Sequence, residues 1–264
     1  MIRVGVIGAA GKMGRTVLTA VEDDPTLELV AAVDRTGAGE PAGSLVGRPE
    51  LTFEVSSELS SLLDAEVDVA VDFTHPEAVM DNIRWGIGAG MDMVVGTTGI
   101  ADADLHEIRT SIEGTGSHVF IAPNFALGAV LAEHFAKEAS RYFPAVEIIE
   151  LHHDQKADAP SGTAAHTARL IQGSRSEAYH GPDRESVQGV RGGDFDGVRV
   201  HSVRLPGLVA HEEIIFGAPG QTLTIRHDSM DRISFMPGVL MAIKAVADLP
   251  GLSVGLDSLL DLPG

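Results

Sequence analysis

A dense group of ionisable side chains occupies the segment Glu150-Leu-His-His-Asp-Gln-Lys-Ala-Asp-Ala-Pro-Ser-Gly-Thr163. Its histidines, His152 and His153, can exchange protons near neutral pH, and Lys156 could hold a carboxylate or donate a proton. Neighbours at the end of a strand point to opposite sides, so the two histidines are expected to have different tasks. The simpler alternative is a pair of surface or core histidines without a chemical role.

The end of this segment predicts an anion site. Ser161 is suited to cap the helix that follows, so Gly162 and Thr163 would present backbone N–H groups at the helix start. A substrate carboxylate would fit there. We expect no metal, because adjacent histidines on a strand diverge and no third ligand stands nearby at a useful spacing.

A second motif, Gly8-Ala-Ala-Gly11-Lys-Met-Gly14, follows a predicted strand and opens a predicted helix. This context is typical of dinucleotide binding, since glycines let the backbone approach a pyrophosphate at the helix N-terminus. Asp34 follows 20 residues after Gly14 and could accept hydrogen bonds from an adenosine ribose. The alternative is a glycine-rich turn that binds no cofactor.

Several cations lie close to this motif. Arg35 could hold the 2′-phosphate of NADPH, and Lys12 and Arg15 add positive charge near the same phosphates. We therefore expect both NADH and NADPH to be used. Two later loops, Gly96-Thr97-Thr98-Gly99 and Ala122-Pro123-Asn124-Phe125, follow strands and would meet the cofactor at the same sheet edge.

The elements that must position these residues form two patterns. Up to Asn124, short β-rich apolar runs alternate with helical stretches, which predicts a parallel sheet covered by helices. The predicted strands there are Val4–Ile7, Leu29–Val33, Val67–Phe73, Met93–Val95 and Val119–Ile121, and the helices are Gly14–Val21, Ser57–Leu63, Pro76–Gly88 and Asp102–Glu113.

Beyond Asn124 the sequence predicts a second, α+β domain. Its predicted helices are Leu127–Arg141 and Gly162–Ile171 with Gly173 as C-cap, and a further apolar helix, Pro237–Val246, is predicted near the end of the sequence. Its predicted strands are Val146–His152, Val198–Arg204, Glu212–Phe216 and Thr222–His227, with a loop over Gly181–Gly197. We expect a dinucleotide-binding domain over 1–125 and a substrate-binding domain over 126–236. Hinges are expected near Asn124–Leu127 and Met236-Pro237, because the two domains must close on the substrate.

Composition excludes several classes of protein. The 264 residues include no cysteine, which removes disulfide scaffolds and thiol nucleophiles. The net charge of −19 disfavours nucleic acid and anionic membranes as partners, but allows a small anionic substrate held by local cations. No stretch approaches the roughly 20 apolar residues of a membrane span, and the N-terminal run is too short for a signal peptide. We expect a cytoplasmic protein.

Together the motifs resemble those of the 4-hydroxy-tetrahydrodipicolinate (dihydrodipicolinate) reductases of bacterial lysine and diaminopimelate biosynthesis. The resemblance runs from Val4 to about Lys244, and the block His-His-x-x-Lys-x-Asp-Ala-Pro-Ser-Gly-Thr is its most specific part. It implies a Rossmann-like domain that the C-terminal helix rejoins, so that 237–264 completes the domain over 1–125, and a second domain whose sheet builds a homotetramer. Family members often carry a third histidine before the lysine, where this chain has Asp154-Gln155, which adds a negative charge near a dianionic substrate.

The resemblance also implies roles for individual residues. The cofactor would deliver a hydride to C4 of a cyclic imine dicarboxylate, His152 would protonate C3, and Lys156 would assist as acid and substrate contact. The implied substrate-binding residues are His153, Gly162 and Thr163. The implied cofactor-binding residues are Gly8, Ala9, Ala10, Gly11, Lys12, Met13, Asp34, Arg35, Gly96, Thr97, Thr98, Ala122, Pro123, Asn124 and Phe125.

Two other functions stay open. One is a reductase of the same architecture that acts on a different small carboxylate, and such an enzyme would not need both His152 and Lys156. The other is a nicotinamide-binding sensor without chemistry, because the fold alone does not decide between them. The complete polar block argues against a sensor, which has no use for a proton donor beside the nicotinamide.

Overall fold

The computed structural model describes residues 1–175, 177, 179, 181, 184–195 and 197–262. The chain divides into two compact units, one of Met1–Phe125 with Phe235–Gly264 and one of Ala126–Ser234. Residues 182, 183 and 196 of the predicted loop, and 263 and 264 of the predicted first domain, lie outside the described residues. None of the described helices has the length and apolar character to cross a membrane.

The first unit is a parallel sheet with helices, as predicted. Its seven strands are β1 (Ile2–Ile7), β2 (Leu27–Val33), β3 (Val55–Ser56), β4 (Val69–Asp72), β5 (Asp92–Val95), β6 (Val119–Ile121) and β12 (Leu252–Val254). Its α-helices are α1 (Lys12–Glu22), α2 (Ala42–Val46), α3 (Ser61–Asp64), α4 (Pro76–Gly88), α5 (Asp102–Ser111) and α8 (Met236–Ala245). The β-branched runs are buried, because helices cover a parallel sheet on both faces.

The strand order is β12-β6-β5-β4-β1-β2-β3, and all the pairings are parallel. Strand β1 therefore lies between β2 and β4, at the point where the order of the strands reverses. Open parallel sheets bind their ligands beyond the carboxyl end of such a strand. The glycine loop starts there, directly after Ile7.

The second unit is a mixed sheet covered by two helices. The strands are β7 (Ala145–His152), β8 (Gly193–Phe195), β9 (Val198–Arg204), β10 (Ala210–Ala218) and β11 (Gln221–Ser229), in the order β11-β10-β7-β9-β8. Helices α6 (Leu127–Ala139) and α7 (Gly162–Ser174) pack on one face. The core there includes Ala136, Ala168, Ile148, Ile214 and Phe216.

Three sequence predictions of local structure are wrong. The helix predicted over Ser57–Leu63 shrinks to α3, because the Ser56 hydroxyl accepts a hydrogen bond from the Glu58 amide and stabilises a turn. Gly173 does not end α7, since the helix runs on to Ser174. The predicted loop contains β8, which pairs with β9. Helix α2 and the edge strands β3 and β12 were not predicted, and they are short.

Candidate active site

The glycine loop after β1 is shaped by crowding. Gly8 has φ +81°, and an added Cβ would lie 2.5 Å from the Phe73 carbonyl oxygen. A Cβ on Gly14 would lie 2.0 Å from the Gly8 carbonyl oxygen. A side chain at Gly8 would push against the backbone after β4, and one at Gly14 would push α1 away from the loop. The close approach of backbone that a pyrophosphate needs therefore depends on glycine.

The first amides of the loop are bound internally. The amides of Gly8 and Ala9 donate to Val33 O, at 2.8 and 3.2 Å, and Ala10 donates to Asp34 Oδ2 at 3.0 Å. Helix α1 then begins at Lys12 with Gly11 as N-cap, and no side chain caps it. The amides of the first turn are therefore presented to a ligand, and the loop fits a dinucleotide phosphate.

Asp34 directly follows β2, and both its carboxylate oxygens accept backbone amides. Oδ2 binds Ala10 N, and Oδ1 binds Thr36 N at 2.8 Å. Asp34 thus connects the glycine loop to the end of β2, and each oxygen keeps lone pairs for a ribose hydroxyl. The neighbouring Arg35 is exposed.

Of the predicted phosphate-side cations, Arg15 has a structural task. Its guanidinium donates to Ala10 O at 2.9 Å and to Leu45 O at 2.6 Å, so it braces the glycine loop from the side. Lys12 is exposed at the first position of α1.

The loop after β5 is organised by Asp72, which sequence reasoning missed. This carboxylate is fully buried at the end of β4. It accepts hydrogen bonds from Thr74 N and Oγ1, Asn82 Nδ2 and Thr97 Oγ1, at 2.7 to 2.9 Å. Thr97 is thereby held in place, while Thr98 is exposed. The signal that could have identified Asp72 in the sequence is an acidic residue at the end of a buried strand.

The loop after β6 is anchored by an aromatic contact. Phe125 is 2% exposed, and its ring centroid lies 5.9 Å from that of Phe73 and 6.0 Å from that of Phe120. A Cβ on Gly96 would lie 2.1 Å from the Phe73 ring, so the two later loops share this support. Ala122 is buried, Asn124 is half-buried and Pro123 is exposed.

In the second unit, His152 belongs to a buried charge cluster. Its Nδ1 lies 2.5 Å from Glu150 Oε2. The guanidinium of Arg204 donates to both oxygens of Glu150, at 2.8 and 2.7 Å, in a bidentate pair. Glu150 has no exposed side-chain surface, and His152 retains 14%. His153, just beyond β7, is exposed.

Glu150 is ionised in this cluster. Burial by itself raises its pKa, but hydrogen bonds from His152, Arg204 and Ser202 lower the pKa to about 2. An ionised carboxylate accepts hydrogen bonds only, so the Nδ1 of His152 must carry the proton between them. Glu150 and Arg204 were both missed from the sequence. Glu150 could have been found, because it precedes His152 by two residues and shares its face of the strand.

Helix α7 begins beside the same carboxylate. The Ser161 hydroxyl accepts from Ala164 N at 3.1 Å, which confirms the predicted N-cap. The Ser161 amide donates to Glu150 Oε1 at 3.3 Å, so the charge cluster and the helix start are joined. Gly162 is exposed and Thr163 is half-buried at the first two helical positions.

Lys156 has an internal partner. Its ammonium lies 2.7 and 2.8 Å from the two carboxylate oxygens of Asp158, and this hydrogen bond lowers the pKa of Asp158. The Asp154 carboxylate instead accepts a hydrogen bond from the side-chain amide of Gln155 at 2.9 Å, and both residues are exposed. Asp158, and not Asp154, is therefore the carboxylate that pairs with Lys156. Among the described residues, no three His, Cys, Asp or Glu side chains form a metal-binding group.

A parallel sheet with a glycine loop after its first strand, and a second unit with a carboxylate-bound histidine beside a helix N-terminus, are typical of a nicotinamide-dependent oxidoreductase. The family model for the N-terminus of dihydrodipicolinate reductase matches residues 2–125, and the family model for its C-terminus matches residues 128–260. The chain belongs to the dihydrodipicolinate reductase family.

Individual relatives agree with this. The chain is 51% identical over 250 residues to 4-hydroxy-tetrahydrodipicolinate reductase of Mycobacterium sp. (strain JLS), with 94% of each chain covered. It is 47% identical over 252 residues to the reductase of Desulfitobacterium hafniense, again with 94% of each covered. It is also similar to dipicolinate-bound dihydrodipicolinate reductase from Paenisporosarcina sp. TG-14, with TM-score 0.87 and 42% identity over 98% of this chain and 100% of that one.

Proposed function

We propose that this chain reduces 4-hydroxy-tetrahydrodipicolinate to tetrahydrodipicolinate, in diaminopimelate and lysine biosynthesis, with either NADH or NADPH. The hydrogen bond of His152 to the ionised, Arg204-bound Glu150 carries the proposal. A nicotinamide-binding sensor has no need of a buried carboxylate that keeps one histidine ready to give up a proton. The dipicolinate bound to the Paenisporosarcina reductase is a small dicarboxylate of the same class.

His152 acts as the proton donor. Its Nδ1–H is committed to Glu150, so the proton that leaves must come from Nε2 of the imidazolium. Glu150 stabilises that imidazolium until the proton is needed at C3 of the substrate ring. After the transfer, the imidazole of His152 is neutral, and its remaining proton stays on Nδ1, where the bond to Glu150 keeps the imidazole oriented.

The start of α7 binds a carboxylate of the substrate. Gly162 and Thr163 offer amides at the helix N-terminus, His153 adds a contact from the end of β7, and Lys156 exchanges Asp158 for the substrate. Two held carboxylates would fix the ring, so that its C3 and C4 atoms meet the donors in one orientation.

The nicotinamide cofactor supplies the hydride to C4 when it is bound. The residues that would hold it are Gly8, Ala9, Ala10, Gly11, Lys12, Met13, Asp34, Arg35, Gly96, Thr97, Thr98, Ala122, Pro123, Asn124 and Phe125. Asp34 is suited to the ribose hydroxyls and the exposed Arg35 to a 2′-phosphate. The second unit would also build a homotetramer, which light scattering would test. The cytoplasmic location and the two hinges stay predictions.

A coupled assay tests this function. A dihydrodipicolinate synthase would generate the substrate in situ, and the loss of reduced-nicotinamide absorbance would be followed with NADH and with NADPH. We expect His152→Gln to lower kcat by roughly 10²–10⁴-fold, as loss of a general acid does. Lys156→Ala should mainly raise KM. His106→Gln, at an exposed position on α5, is the matched control.

Two results would count against the proposal. Wild-type rates in both His152→Gln and Lys156→Ala would favour a reductase of another carboxylate. Binding of NADH without reduction of any substrate would favour the sensor. The ratio of the NADPH and NADH rates, compared with the ratio in Arg35→Ala, would show whether this guanidinium holds the 2′-phosphate.

A further inference from the structure

The guanidinium of Arg204, at the end of β9, does more than pair with Glu150. A guanidinium carries five N–H groups. Nη1 donates to Glu150 Oε2 and to the Val203 carbonyl oxygen, both at 2.8 Å. Nη2 donates to Glu150 Oε1 at 2.7 Å and to the Asp158 carbonyl oxygen at 2.6 Å. Nε donates to the Lys156 carbonyl oxygen at 3.3 Å, so all five N–H groups are engaged.

These contacts join two parts of the second unit. One part is the end of β7, which carries Glu150 and His152 and lies between β9 and β10 in the sheet. The other part is the β7–α7 segment, residues 153–161, which carries Lys156 and leads into α7. The sheet fixes the first part, because His152 pairs with residues of both neighbouring strands.

The β7–α7 segment is held by hydrogen bonds and not by burial. The structure describes every residue from 153 to 160, and none of these has a buried side chain or belongs to a helix or strand. One end is tied by a turn in which the Lys156 amide is the donor, at 3.2 Å, and the other by the Ser161 amide, which donates to Glu150 Oε1 at 3.3 Å. Between these bonds Arg204 anchors two carbonyl oxygens. A surface segment with so few buried contacts takes its shape from such anchors.

Arg204 fixes the backbone of both partners of an ion pair. The Lys156 ammonium lies 2.7 and 2.8 Å from the two carboxylate oxygens of Asp158. The carbonyl oxygens of the same two residues bind the guanidinium edge formed by Nε and Nη2. The edge formed by Nη1 and Nη2 binds Glu150, whose Oε2 lies 2.5 Å from His152 Nδ1. The guanidinium is planar and rigid, so the separation of Lys156 from His152 depends on it.

We propose that Arg204 is a positioning residue that sets where Lys156 lies relative to His152, because one rigid group holds both the carboxylate behind the histidine and the backbone of the lysine. This inference rests on the proposed function, since the place of Lys156 matters to catalysis only if its ammonium receives a substrate carboxylate. The substrate would then bind at a fixed distance from the proton donor.

Arg204→Lys separates the charge of this side chain from its shape. An ammonium keeps a positive charge beside Glu150, so the buried carboxylate is not left unpaired. It has three donors and no planar edge, and it cannot hold Glu150 and both carbonyl oxygens at once. We expect the KM for the dicarboxylate to rise by roughly 10- to 100-fold, as a misplaced binding group does, while kcat falls less because His152 keeps its bond to a charged Glu150.

A double variant tests whether Arg204 acts through Lys156. In Lys156→Ala the ammonium is gone, so adding Arg204→Lys should raise KM little further, and the two effects should not multiply. A side chain that only stabilises the fold would add its own effect in full. Arg226→Lys is the matched control, because Arg226 on β11 also pairs with two carboxylates but lies outside the proposed site, and it should keep the wild-type KM. Urea unfolding would show that each variant is folded in the assay.

A second measurement uses the wild type, and it decides the matter even if Arg204→Lys does not fold. Nitrogen-15 NMR follows the exchange of arginine Nε–H groups with water. The Nε–H of Arg204 is bound to the Lys156 carbonyl oxygen and its side chain is 19% exposed, whereas the side chain of Arg226 is 50% exposed. We expect the Nε–H of Arg204 to exchange roughly tenfold more slowly or better.

Any of three results overturns the proposal: a wild-type KM in Arg204→Lys, multiplied effects in the double variant, or an Nε–H of Arg204 that exchanges as fast as that of Arg226. Failure of the proposed function would look different. The wild type and all the variants would then lack turnover of 4-hydroxy-tetrahydrodipicolinate, and the NMR exchange rate would still report whether Arg204 holds the β7–α7 segment.

Discussion

Helix α1 and helix α7 each begin at a proposed anion site, one in each compact unit. Helix α1 has the N-cap Gly11, which has no side chain to cap the helix, and its first turn is packed so closely that Gly14 has no room for a Cβ. Helix α7 has the N-cap Ser161 with a side-chain bond, and a Cβ on Gly162 would meet open space.

The difference shows two ways to build an anion site. The site at α1 is made by leaving side chains out, so that the backbone itself reaches the ligand. The site at α7 is made by placing charges behind it, with Glu150, Arg204 and His152 in contact. We expect substitutions at the first site to act through volume and substitutions at the second to act through charge.

The largest expected effect tests the charged site. In Glu150→Gln, an amide group faces the Arg204 guanidinium, and His152 loses the charge that stabilises its imidazolium. Removal of one partner from a buried ion pair costs about 3–5 kcal/mol, so the variant should unfold at lower urea concentration and kcat should fall by roughly 10²-fold or more.

Glu147→Gln is the matched control, because Glu147 is on the same strand but its ion pairs with His201 and Arg191 are more exposed. An unchanged kcat in Glu150→Gln would show that the buried charges do not govern the site at α7. Acid unfolding gives a second test, because a pKa lowered to about 2 means that Glu150 contributes stability above about pH 4.5, and this contribution is lost as pH falls towards 2. Acid unfolding of Glu150→Gln should lack that dependence.

The next effect tests the crowded site. Gly14→Ala would force a Cβ to within 2.0 Å of a backbone oxygen. We therefore expect the free energy of unfolding to fall by about 1–3 kcal/mol and the KM for NADH to rise. Gly173→Ala is the control, since Gly173 lies inside α7 with nothing near its Cβ position. The free energy of unfolding of this variant should rise by about 0.5–1 kcal/mol. Urea unfolding measures both. Equal effects would show that crowding does not govern α1.

The smallest effect concerns Lys156. Asp158→Asn removes the anion that competes for this ammonium, so the KM for the dicarboxylate should fall by a few-fold. The change is small because Asp158 is largely exposed and its ion pair is well screened. Asp154→Asn should change KM less, since Asp154 contacts Gln155 instead. A larger effect from Asp154→Asn would reverse the proposed roles of these carboxylates.

Most elements of the first unit could be predicted, because their signals are local. The helix predicted over Pro76–Gly88 matches α4, whose Pro76 stands at the helix start, and the strand over Val119–Ile121 matches β6. Short edge elements such as β3 and β12 were missed, since two or three residues carry too little pattern. They exist because a neighbouring strand offers hydrogen bonds to them.

The candidate site divides in the same way. The glycine loop, Ser161 and the His152–Lys156 segment could all be recognised, because each is a set of residue types at close spacing. Arg204 and the hydrogen-bond partners of Asp72 could not, although Asp72 itself had a signal as an acidic residue at the end of a strand. The partners of Asp72 come from three separate segments, and Arg204 meets Glu150 only because β9 lies beside β7 in a given register.

The amino-acid sequence by itself determined the backbone sites of this protein. Where glycine must stand, the constraint acts between residues a few positions apart, and spacing records it. Only the tertiary structure decided the charge states. Glu150 and Glu212 are chemically identical and directly opposite, yet Arg204, 54 residues away, stabilises the first as an anion, whereas burial raises the pKa of the second to about 7. Burial and long-range pairing set a pKa, and neither is written in local sequence.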